Sequence, residues 1–346
     1  MFITIFLTIF AILNFYILAR LAILLKFKLG LWFFTIFILL TFSYVAAAAF
    51  DGLLANQVTA FVYFLASLWL GTGLILLSLL VIFELINPFI KVPRPSAGYL
   101  IVIAGLLLAA FAGFNAITVT VNNIKIDAPL NLRIVQVSDI HLRKFGALRM
   151  EKIANKVNAL KPDLVFLTGD IFDTKHSFSE KNLSILNSLD APAYFITGNH
   201  ERYIGQQFVF EKLKDTKIHT LDNQTATAGD VQIIGVDDSV EPHNLSNHLA
   251  KMNIEPDKYS ILLYHRPKGL EAAATAGINL MLSGHTHNGQ IFPFNYVVGT
   301  QFKYIRGLYE KEGCTLYVTT GTGTWGPTMR LGSKNEIVVI DLKPAK

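Results

Sequence analysis

Four long apolar runs that carry almost no charge occupy the first 117 residues, and they limit the possible folds more than any other feature. The runs cover residues 2–25, 31–50, 58–86 and 99–117. Each is near or above the ~20 residues that a helix needs to cross the hydrocarbon core of a bilayer. The mean hydropathy of the chain, +0.44, is also too high for an ordinary soluble domain. We therefore predict an N-terminal transmembrane region of about four helices, residues 1–117.

The first run has no basic segment before it and no early small-residue cleavage site. It therefore predicts a retained span and not a removable signal peptide. Two charged residues, Arg20 and Glu84, lie near the ends of predicted spans, where a long side chain can reach the membrane interface. We interpret them as snorkelling residues and not as part of an ion path.

Basic residues in the loops predict the orientation of the spans. The first loop carries Lys26 and Lys28, the third carries Lys91 and Arg94, and the second carries only Asp51. Loops rich in Lys and Arg stay in the cytoplasm. The sequence thus predicts a multi-pass cell-membrane protein whose remaining part is extracytoplasmic.

Beyond residue 131 the sequence is typical of an α/β domain. Short apolar or β-branched runs alternate with amphipathic stretches such as Leu148–Leu160, which ends before Lys161-Pro162. The runs read as strands buried on both faces, and they are Ile134–Ser138, Leu164–Thr168, Tyr194–Thr197, Val231–Val236, Ile261–Tyr264, Leu280–Ser283, Leu316–Thr319 and Ile337–Ile340. We predict a linker at 118–131 and one layered α/β domain at 132–346.

The charge and cysteine content exclude two other kinds of function. The chain has 30 Lys and Arg against 25 Asp and Glu, but the basic residues are scattered and form no stripe, so we expect no nucleic-acid partner. The single cysteine, Cys314, excludes an internal disulfide and a thiolate metal cluster. We expect Cys314 to be a buried apolar residue.

Polar residues follow directly after the ends of several predicted strands. They are Asp139 and His141 after the first run, Asp170 after the second, Asn199, His200 and Glu201 after the third, His265 after the fifth, and His285 and His287 after the sixth. In α/β sheets the loops beyond the carboxyl ends of the strands converge on one crevice. We therefore expect these side chains to meet although they are far apart in the sequence.

Their chemistry indicates a site for two divalent metal ions, which needs hard or borderline ligands around a bridging carboxylate. A mixed His, Asp and Asn set without cysteine suits Mn, Fe or Zn and does not choose among them. Glycines precede Asp170, Asn199 and His285, and they allow the sharp turns that bring each side chain into the crevice.

The ordered motifs resemble those of the calcineurin-like metallophosphoesterases across essentially all of residues 132–342. They are Asp139-x-His141, Gly169-Asp170, Gly198-Asn199-His200-Glu201, His265 and Gly284-His285-x-His287. The membrane anchor and the segments Gly321-Thr322-Gly323, Arg330-Leu331-Gly332 and Glu336-Ile337 are similar to a bacterial transmembrane branch of that family. That branch usually has Gly-Gly-Gln after its last histidine. This chain has Asn288-Gly289-Gln290, which concerns the geometry of the loop and not a ligand position.

The resemblance implies the fold and the role of each residue. The fold would be a sandwich of two mixed β-sheets flanked by helices. One metal ion would be held by Asp139, His141 and His287, and the second by Asn199, His265 and His285, with Asp170 bridging the two. His200 would be the catalytic residue beside the substrate phosphate, oriented by Glu201 or by Asp170.

The predicted function is a membrane-anchored, metal-dependent phosphoric ester hydrolase. A metal-bridging hydroxide would attack phosphate mono- or diesters, and the partners would be the lipid bilayer and a cell-envelope or lipid head-group substrate. One alternative is a UDP-2,3-diacylglucosamine-type pyrophosphatase of lipid A synthesis, whose cytoplasmic substrate disagrees with the predicted orientation. The other is a non-catalytic, ligand-binding membrane sensor, for which a lost ligand would be expected and none is seen.

Several further residues have two interpretations. Arg266 and Arg330 could bind a substrate phosphate, but structural ion pairs explain them equally well. Asp173 and His176 follow the Asp170 motif, and we interpret both as surface-turn or loop-capping residues. A group of aromatic residues could line a substrate groove, although core packing is the preferred interpretation; the group is Tyr203, Phe292, Phe294, Tyr296 and Tyr304.

Overall fold

A computed structural model describes residues 2–345, which divide into two compact units. The first unit contains the chain up to Ile117 together with Ile291–Pro293 and Gly326–Gly332. The second contains Thr118–Gln290, Phe294–Trp325 and the chain from Ser333 onward. Each unit has its own clusters of buried apolar side chains.

Four long helices form most of the first unit: α1 (Phe2–Leu24), α2 (Leu31–Leu54), α3 (Gln57–Ile90) and α4 (Arg94–Ile117). All four are long and apolar enough to cross a membrane, which confirms the predicted transmembrane region. The fourth helix begins earlier than predicted because Pro95 fits its first turn, where the missing N–H of proline needs no partner.

Polar contacts join α1 to α3. Arg20 and Glu84 form a bidentate ion pair, with Arg20 Nη2 2.9 Å from Glu84 Oε2. They therefore neutralise each other, which lowers the cost of charge near the bilayer, and snorkelling alone does not describe them. Nearer the middle of α1, Asn14 Oδ1 accepts a hydrogen bond of 3.0 Å from Trp69 Nε1.

The two later segments of the first unit pack among α3 and α4. Ile291 and Met329 lie in one buried cluster with Ile75 and Ala112. The backbone N–H of Arg330 donates to the Ala112 carbonyl at 2.8 Å.

The second unit contains two six-stranded sheets flanked by helices, and this confirms the predicted sandwich. The first sheet has the order β1-β12-β2-β3-β4-β5 and the second has the order β10-β11-β9-β8-β7-β6. The strands are β1 (Val119–Asp127), β2 (Leu132–Val137), β3 (Leu164–Thr168), β4 (Ala193–Ile196), β5 (Ile218–Thr220), β6 (Gln224–Ala228), β7 (Val231–Val236), β8 (Tyr259–Tyr264), β9 (Leu280–Ser283), β10 (Gly307–Lys311), β11 (Cys314–Val318) and β12 (Asn335–Lys343). The helices are α5 (Ala147–Ala159), α6 (Glu180–Leu186), α7 (Asn199–Ile204), α8 (Gln206–Leu213), α9 (Leu245–Leu249), α10 (Leu270–Thr275) and α11 (Phe294–Gln301).

Both sheets are mixed. The strands β2 to β5 are parallel neighbours, and β12 pairs antiparallel with β2. In the other sheet β7, β8, β9 and β11 run parallel, with antiparallel β6 and β10 at the edges. Apolar side chains from the facing sides share one core, for example Phe166, Ile261 and Leu282. The carboxyl ends of the parallel strands are therefore available to form one site.

The segment predicted as a linker, 118–131, contains strand β1. This strand pairs in parallel with β12 from Val119↔Asn335 to Asp127↔Lys343. Its side chains are mostly half-exposed, so it lacks the continuous apolar run by which the buried strands are predicted.

Candidate metal centre

The predicted ligand residues lie together beyond the carboxyl ends of strands from both sheets. Asp139, Asp170 and Asn199 follow β2, β3 and β4, which are neighbours in the first sheet. His265 and His285 follow β8 and β9, which are neighbours in the second sheet. The site is therefore formed where the two sheets present their strand ends to each other.

The first group of side chains that could hold a metal ion is Asp139, His141 and His287. Nε2 of His141 lies 3.0 Å from Nε2 of His287, and the latter atom lies 3.5 Å from Asp139 Oδ1. Ring nitrogens that face each other at this distance fit one shared ion, because metal–nitrogen bonds of about 2.0–2.1 Å place neighbouring nitrogens about 3 Å apart.

The second group is Asp170, His265 and His285. Nε2 of His265 lies 3.3 Å from His285 Nδ1 and 3.2 Å from Asp170 Oδ2. The other ring nitrogen of His265 lies 2.8 Å from the Thr168 carbonyl oxygen and can donate to it. This contact leaves Nε2 as the acceptor atom that faces the site, as expected for a metal-binding histidine.

Asp170 belongs to the second group and also approaches the first. Its Oδ2 atom is 3.2 Å from His265 Nε2 of the second group and 3.9 Å from His141 Nε2 of the first. Asn199 follows β4, the strand next to the one that carries Asp170. Its amide oxygen Oδ1 is buried and has no hydrogen-bond partner among residues 2–345. A cation would supply the missing partner. These residues therefore fit a pair of divalent ions, and the N/O donor set without sulfur suits Mn, Fe or Zn.

Most of the ligand residues have an unusual backbone conformation. The angle φ is 53° at Asp139 and at His141, 52° at Asp170, 71° at His285 and 48° at His287. Non-glycine residues in this left-handed region cost about 1–3 kcal/mol each and persist only where the surrounding structure holds them. The loops are therefore constrained to aim these side chains at one point.

Two glycines allow the close packing of these loops. A Cβ atom at Gly198 would lie 2.2 Å from Asp170 Oδ1, and one at Gly284 would lie 2.2 Å from Asp139 Oδ2. Any larger residue there would displace a ligand. Asn288 adopts φ 50° and ψ 38°, a left-handed conformation that asparagine tolerates better than most residues, so this loop accommodates the departure from Gly-Gly-Gln.

Glu201 does not orient His200; it holds the backbone of two ligand loops. Its buried carboxylate accepts hydrogen bonds from the N–H groups of Asp170, Ile171 and Phe172 at 2.8, 2.8 and 2.9 Å, and from Gly198 at 2.8 Å. The hydrogen bond between Asp170 and His200 involves the His200 backbone and not its ring: the N–H of His200 donates to Asp170 Oδ1 at 2.9 Å. Neither of the two carboxylates that we expected beside the His200 ring is the one that contacts it.

Asp173 is the carboxylate that orients His200, and its interpretation as a surface-turn residue was wrong. Oδ1 of Asp173 lies 2.7 Å from His200 Nδ1 and 3.3 Å from His141 Nδ1. Its other oxygen accepts from Arg143 Nη1 at 2.5 Å. The side chain is only 9% exposed. The sequence offers only its position three residues after Asp170, and this position does not show the contact with His200. His176 is exposed, as expected of a surface turn.

Burial and the neighbouring charges strongly shift the pKa values of three histidines. Burial opposes a positive charge on His200, but the carboxylates of Asp170 and Asp173 outweigh it and raise its pKa to about 9. Burial likewise opposes the charge of His265, yet Asp170 and Asp139 raise its pKa to about 10. Burial and the neighbouring His265 lower the pKa of His285 to about 3. A metal ion must therefore displace a proton from His265 in order to bind, so binding weakens in acid.

Of the two arginines predicted to bind substrate, Arg266 has ion-pair partners and Arg330 is buried. Arg266 Nε lies 2.7 Å from Asp238 Oδ1, and Arg266 Nη1 lies 3.4 Å from Glu241 Oε2. Arg330 belongs to the first unit and is fully buried. Its carbonyl oxygen accepts from Asn115 Nδ2 at 3.3 Å. For both residues the substrate contact stays a prediction.

Core packing was the wrong interpretation for most of the singled-out aromatic residues. Tyr203, Phe292, Phe294 and Tyr296 are exposed, by 78%, 49%, 43% and 68% respectively, and only Tyr304 is buried. Side chains that are this exposed are not packed in a core, and exposed apolar groups can mark an interaction surface. Cys314 is buried as predicted.

Comparison with known proteins identifies the family. A model of the calcineurin-like phosphoesterases matches residues 132–289, which include all the predicted ligands. An uncharacterised metallophosphoesterase of Campylobacter jejuni is 34% identical over 283 residues, which cover 79% of this chain and 70% of that protein. This chain is a calcineurin-like metallophosphoesterase. The predicted family is thereby confirmed, and with it a metal-dependent phosphoester hydrolase in a membrane protein.

Other relatives of this metallophosphoesterase match over shorter stretches. A transmembrane protein with a metallophosphoesterase domain from Bos taurus is 35% identical over 238 residues, and the match covers 62% of this chain and 54% of the bovine protein. Among solved structures, Haemophilus influenzae NAD nucleotidase matches 57% of this chain and 46% of its own with 17% identity and a TM-score of 0.37. The chain thus spans little more than half of the bovine relative.

Proposed function

We propose that this metallophosphoesterase uses two divalent ions to hydrolyse phosphate mono- or diesters of the cell envelope or of lipid head groups. The observation that carries the proposal is the position of Asp170, whose Oδ2 atom lies between the two groups of histidines. One metal would be held by Asp139, His141 and His287, and the other by Asn199, His265 and His285. Asp170 would contact both, and Mn, Fe or Zn would suit the donor set.

When bound, such a metal pair polarises the phosphoryl oxygens and lowers the pKa of a water molecule so that it can attack phosphorus. The protein fixes the geometry. His285 donates its backbone N–H to Asp139 at 3.0 Å, and His200 donates its backbone N–H to Asp170 at 2.9 Å. Both carboxylates are therefore held in place before any ion arrives.

His200 is proposed as the general acid. Asp173 occupies its Nδ1 atom, so Nε2 on the opposite side of the ring can give a proton to the departing ester oxygen. The His200 side chain is 16% exposed, against 3% for His141, so of these two it is the one that a substrate can reach more easily. Its raised pKa keeps the proton available near neutral pH.

The basic loops before α2 and α4 support an extracytoplasmic catalytic part, because Lys26, Lys28, Lys91 and Arg94 favour the cytoplasmic side. A site outside the cytoplasm would act on envelope and lipid phosphoesters. It would not meet a cytoplasmic nucleotide-linked lipid precursor.

The test uses the purified full chain in detergent and compares Asp170→Asn with His200→Gln. Chelation should abolish hydrolysis and Mn should restore it. Asp170→Asn should lose both metal and activity, because the charge between the two groups is removed. His200→Gln should keep its metal but slow turnover by roughly 10²–10⁴, the range for a lost general acid. Alkyl esters should suffer more than nitrophenyl esters, which leave without a proton.

Asp230→Asn and His219→Gln are the matched controls, because both residues are exposed and neither belongs to the metal groups. They should retain metal and activity. Full activity in excess chelator would refute the metal mechanism. Loss of metal in His200→Gln, or equal slowing of both ester types, would refute the general-acid role.

A further inference from the structure

Exposed apolar side chains of the second unit are concentrated on the segments that follow the loops of the metal centre. The large apolar side chains more than half exposed in that unit are Phe145, Leu148, Tyr203, Tyr296 and Val297. All five lie on segments that leave a ligand-bearing loop: Phe145 and Leu148 follow His141, Tyr203 follows His200, and Tyr296 and Val297 follow His287. Scattered apolar residues are ordinary, but a concentration at one place marks an interaction surface.

Two aromatic rings flank the proposed general acid. The ring centre of Tyr203 lies 5.5 Å from that of His200, and the ring centre of Trp325 lies 6.4 Å from it on another loop. Tyr203 is 78% exposed and Trp325 is 42% exposed. Because a general acid stands beside the leaving group, these two rings border the space into which the leaving group must extend.

Hydrogen bonds and close packing tie the other loops to the same site. The backbone N–H of Gly323 donates to the Asp139 carbonyl at 2.9 Å, which fixes the loop of Trp325 against a ligand. Arg149, next to Leu148, donates from Nη2 to the Thr322 carbonyl at 3.3 Å. Gly289 approaches Asn295 so closely that an added Cβ would lie 2.3 Å from its backbone nitrogen. The first turns of α5 and α11 therefore border the metal centre.

The chemistry of this apolar rim fits a bilayer. Tyrosine and tryptophan are the residues that favour the membrane–water interface, where one end of the side chain is apolar and the other is hydrated. Lys144, whose Nζ lies 5.7 Å from the Phe145 ring centre, adds a positive charge that suits anionic head groups. The same chain carries four helices that are able to span a membrane, and these would keep the second unit tethered to a bilayer.

We propose that this rim contacts the bilayer surface and receives the apolar part of the substrate, so that the enzyme acts on phosphoesters of membrane amphiphiles. The inference rests on the proposed hydrolytic function and narrows its substrates, because water-soluble envelope esters would gain nothing from the rim. The phosphate would lie at the metal centre, and the apolar chain would extend past Tyr203 and Trp325.

The first experiment measures lipid contact without activity. The full chain has one cysteine, Cys314, which is buried, so Tyr296→Cys can be labelled with an environment-sensitive fluorophore after reconstitution in nanodiscs of anionic phospholipid. Leu308→Cys is the matched control, because Leu308 is exposed by 45% on the edge strand β10 and is not one of the five residues more than half exposed beside the metal centre. Unmodified protein measures background labelling.

A nitroxide lipid should quench the fluorophore at position 296 several-fold more than the one at 308, and aqueous iodide should show the reverse order. Equal quenching at both positions by both agents would overturn the proposal. A duplicate pair, Leu148→Cys against Leu308→Cys, gives the same decision if Tyr296→Cys does not fold.

The second experiment compares kcat/KM for a long-chain phosphatidyl ester with that for a water-soluble nitrophenyl phosphodiester. The ratio should fall roughly tenfold or more in Trp325→Ser or Tyr203→Ser, the effect of losing the burial of one large apolar side chain. Leu308→Ser should leave the ratio unchanged. Hydrolysis of the soluble ester with an unaltered ratio would overturn this inference alone. Absence of hydrolysis of both esters would refute the diester part of the proposed function, while the quenching result would still decide the membrane contact.

Discussion

Replacing Glu201 with glutamine tests how the metal-binding loops are held. In the native protein each carboxylate oxygen accepts two backbone N–H groups: Oε1 from Ile171 and Phe172, and Oε2 from Asp170 and Gly198. The side-chain amide of Glu201→Gln has one oxygen, which can keep one of these pairs. Its NH2 group must then face the other pair of N–H groups, and because an NH2 group is a donor it cannot accept their hydrogen bonds.

The expected loss of stability follows from the number of hydrogen bonds that are lost. A buried N–H left without an acceptor costs about 1–3 kcal/mol, so two of them cost about 2–6 kcal/mol. For a unit of this size one kcal/mol corresponds to a change of about 2–4 °C in Tm. The second unit of Glu201→Gln should therefore unfold at least about 4 °C below the wild type.

The assay is thermal unfolding of the purified full chain in detergent, first in chelator and then with Mn. In chelator the difference reports the loops alone, because a bound ion would add its own stabilisation. The metal content should also fall, since either pair that loses its acceptor includes backbone of the loop that carries Asp170. Glu211→Gln is the control, because Glu211 is exposed and pairs with Lys214 on the surface. A Tm equal to that of Glu211→Gln, with unchanged metal content, would refute the structural role assigned to Glu201.

Two further predictions concern catalysis and orientation. Asp173→Asn removes a carboxylate that raises the pKa of His200, so the pKa should fall and His200 should lose its proton at lower pH; the basic limb of kcat/KM for alkyl esters should move toward lower pH, and an unmoved limb would contradict the pairing. A reporter that works only outside the cytoplasm, fused after Lys346, should be active, whereas an inactive C-terminal fusion together with an active fusion at Lys28 would reverse the proposed orientation.

The strands that could be predicted from the sequence are the ones buried on both faces. All the predicted runs, from Ile134–Ser138 to Ile337–Ile340, coincide with interior strands of the two sheets. The strands that were missed, β1, β5, β6 and β10, are the four sheet edges. Edge strands such as Gln224–Ala228 are largely exposed, so they carry no apolar run, and pairing with a distant partner is what makes them strands.

The site was predictable where a strand end and a motif coincide, and unpredictable where a loop folds back. The ligands follow directly from buried strands, so their convergence could be inferred from topology. Asp173 lies three residues beyond Asp170, on a loop that folds back so that the Asp173 N–H and the Ser177 hydroxyl both donate to the Leu142 carbonyl. Its contact with His200 therefore depends on loop geometry that no periodic pattern records.

Glu201 and Asp173 divide two tasks that the sequence motifs do not separate. Glu201 is adjacent to His200 in the chain, but its carboxylate holds the backbone that carries Asp170 and precedes Asn199, so it acts on the metal ligands. Asp173 is distant from His200 in the chain, but it contacts the imidazole and sets its charge. Damage to the first should appear as lost stability and metal, and damage to the second as a changed pH profile with the fold intact. Because the two carboxylates act on different atoms of the same loop pair, these effects should be separable although both residues lie within one buried cluster.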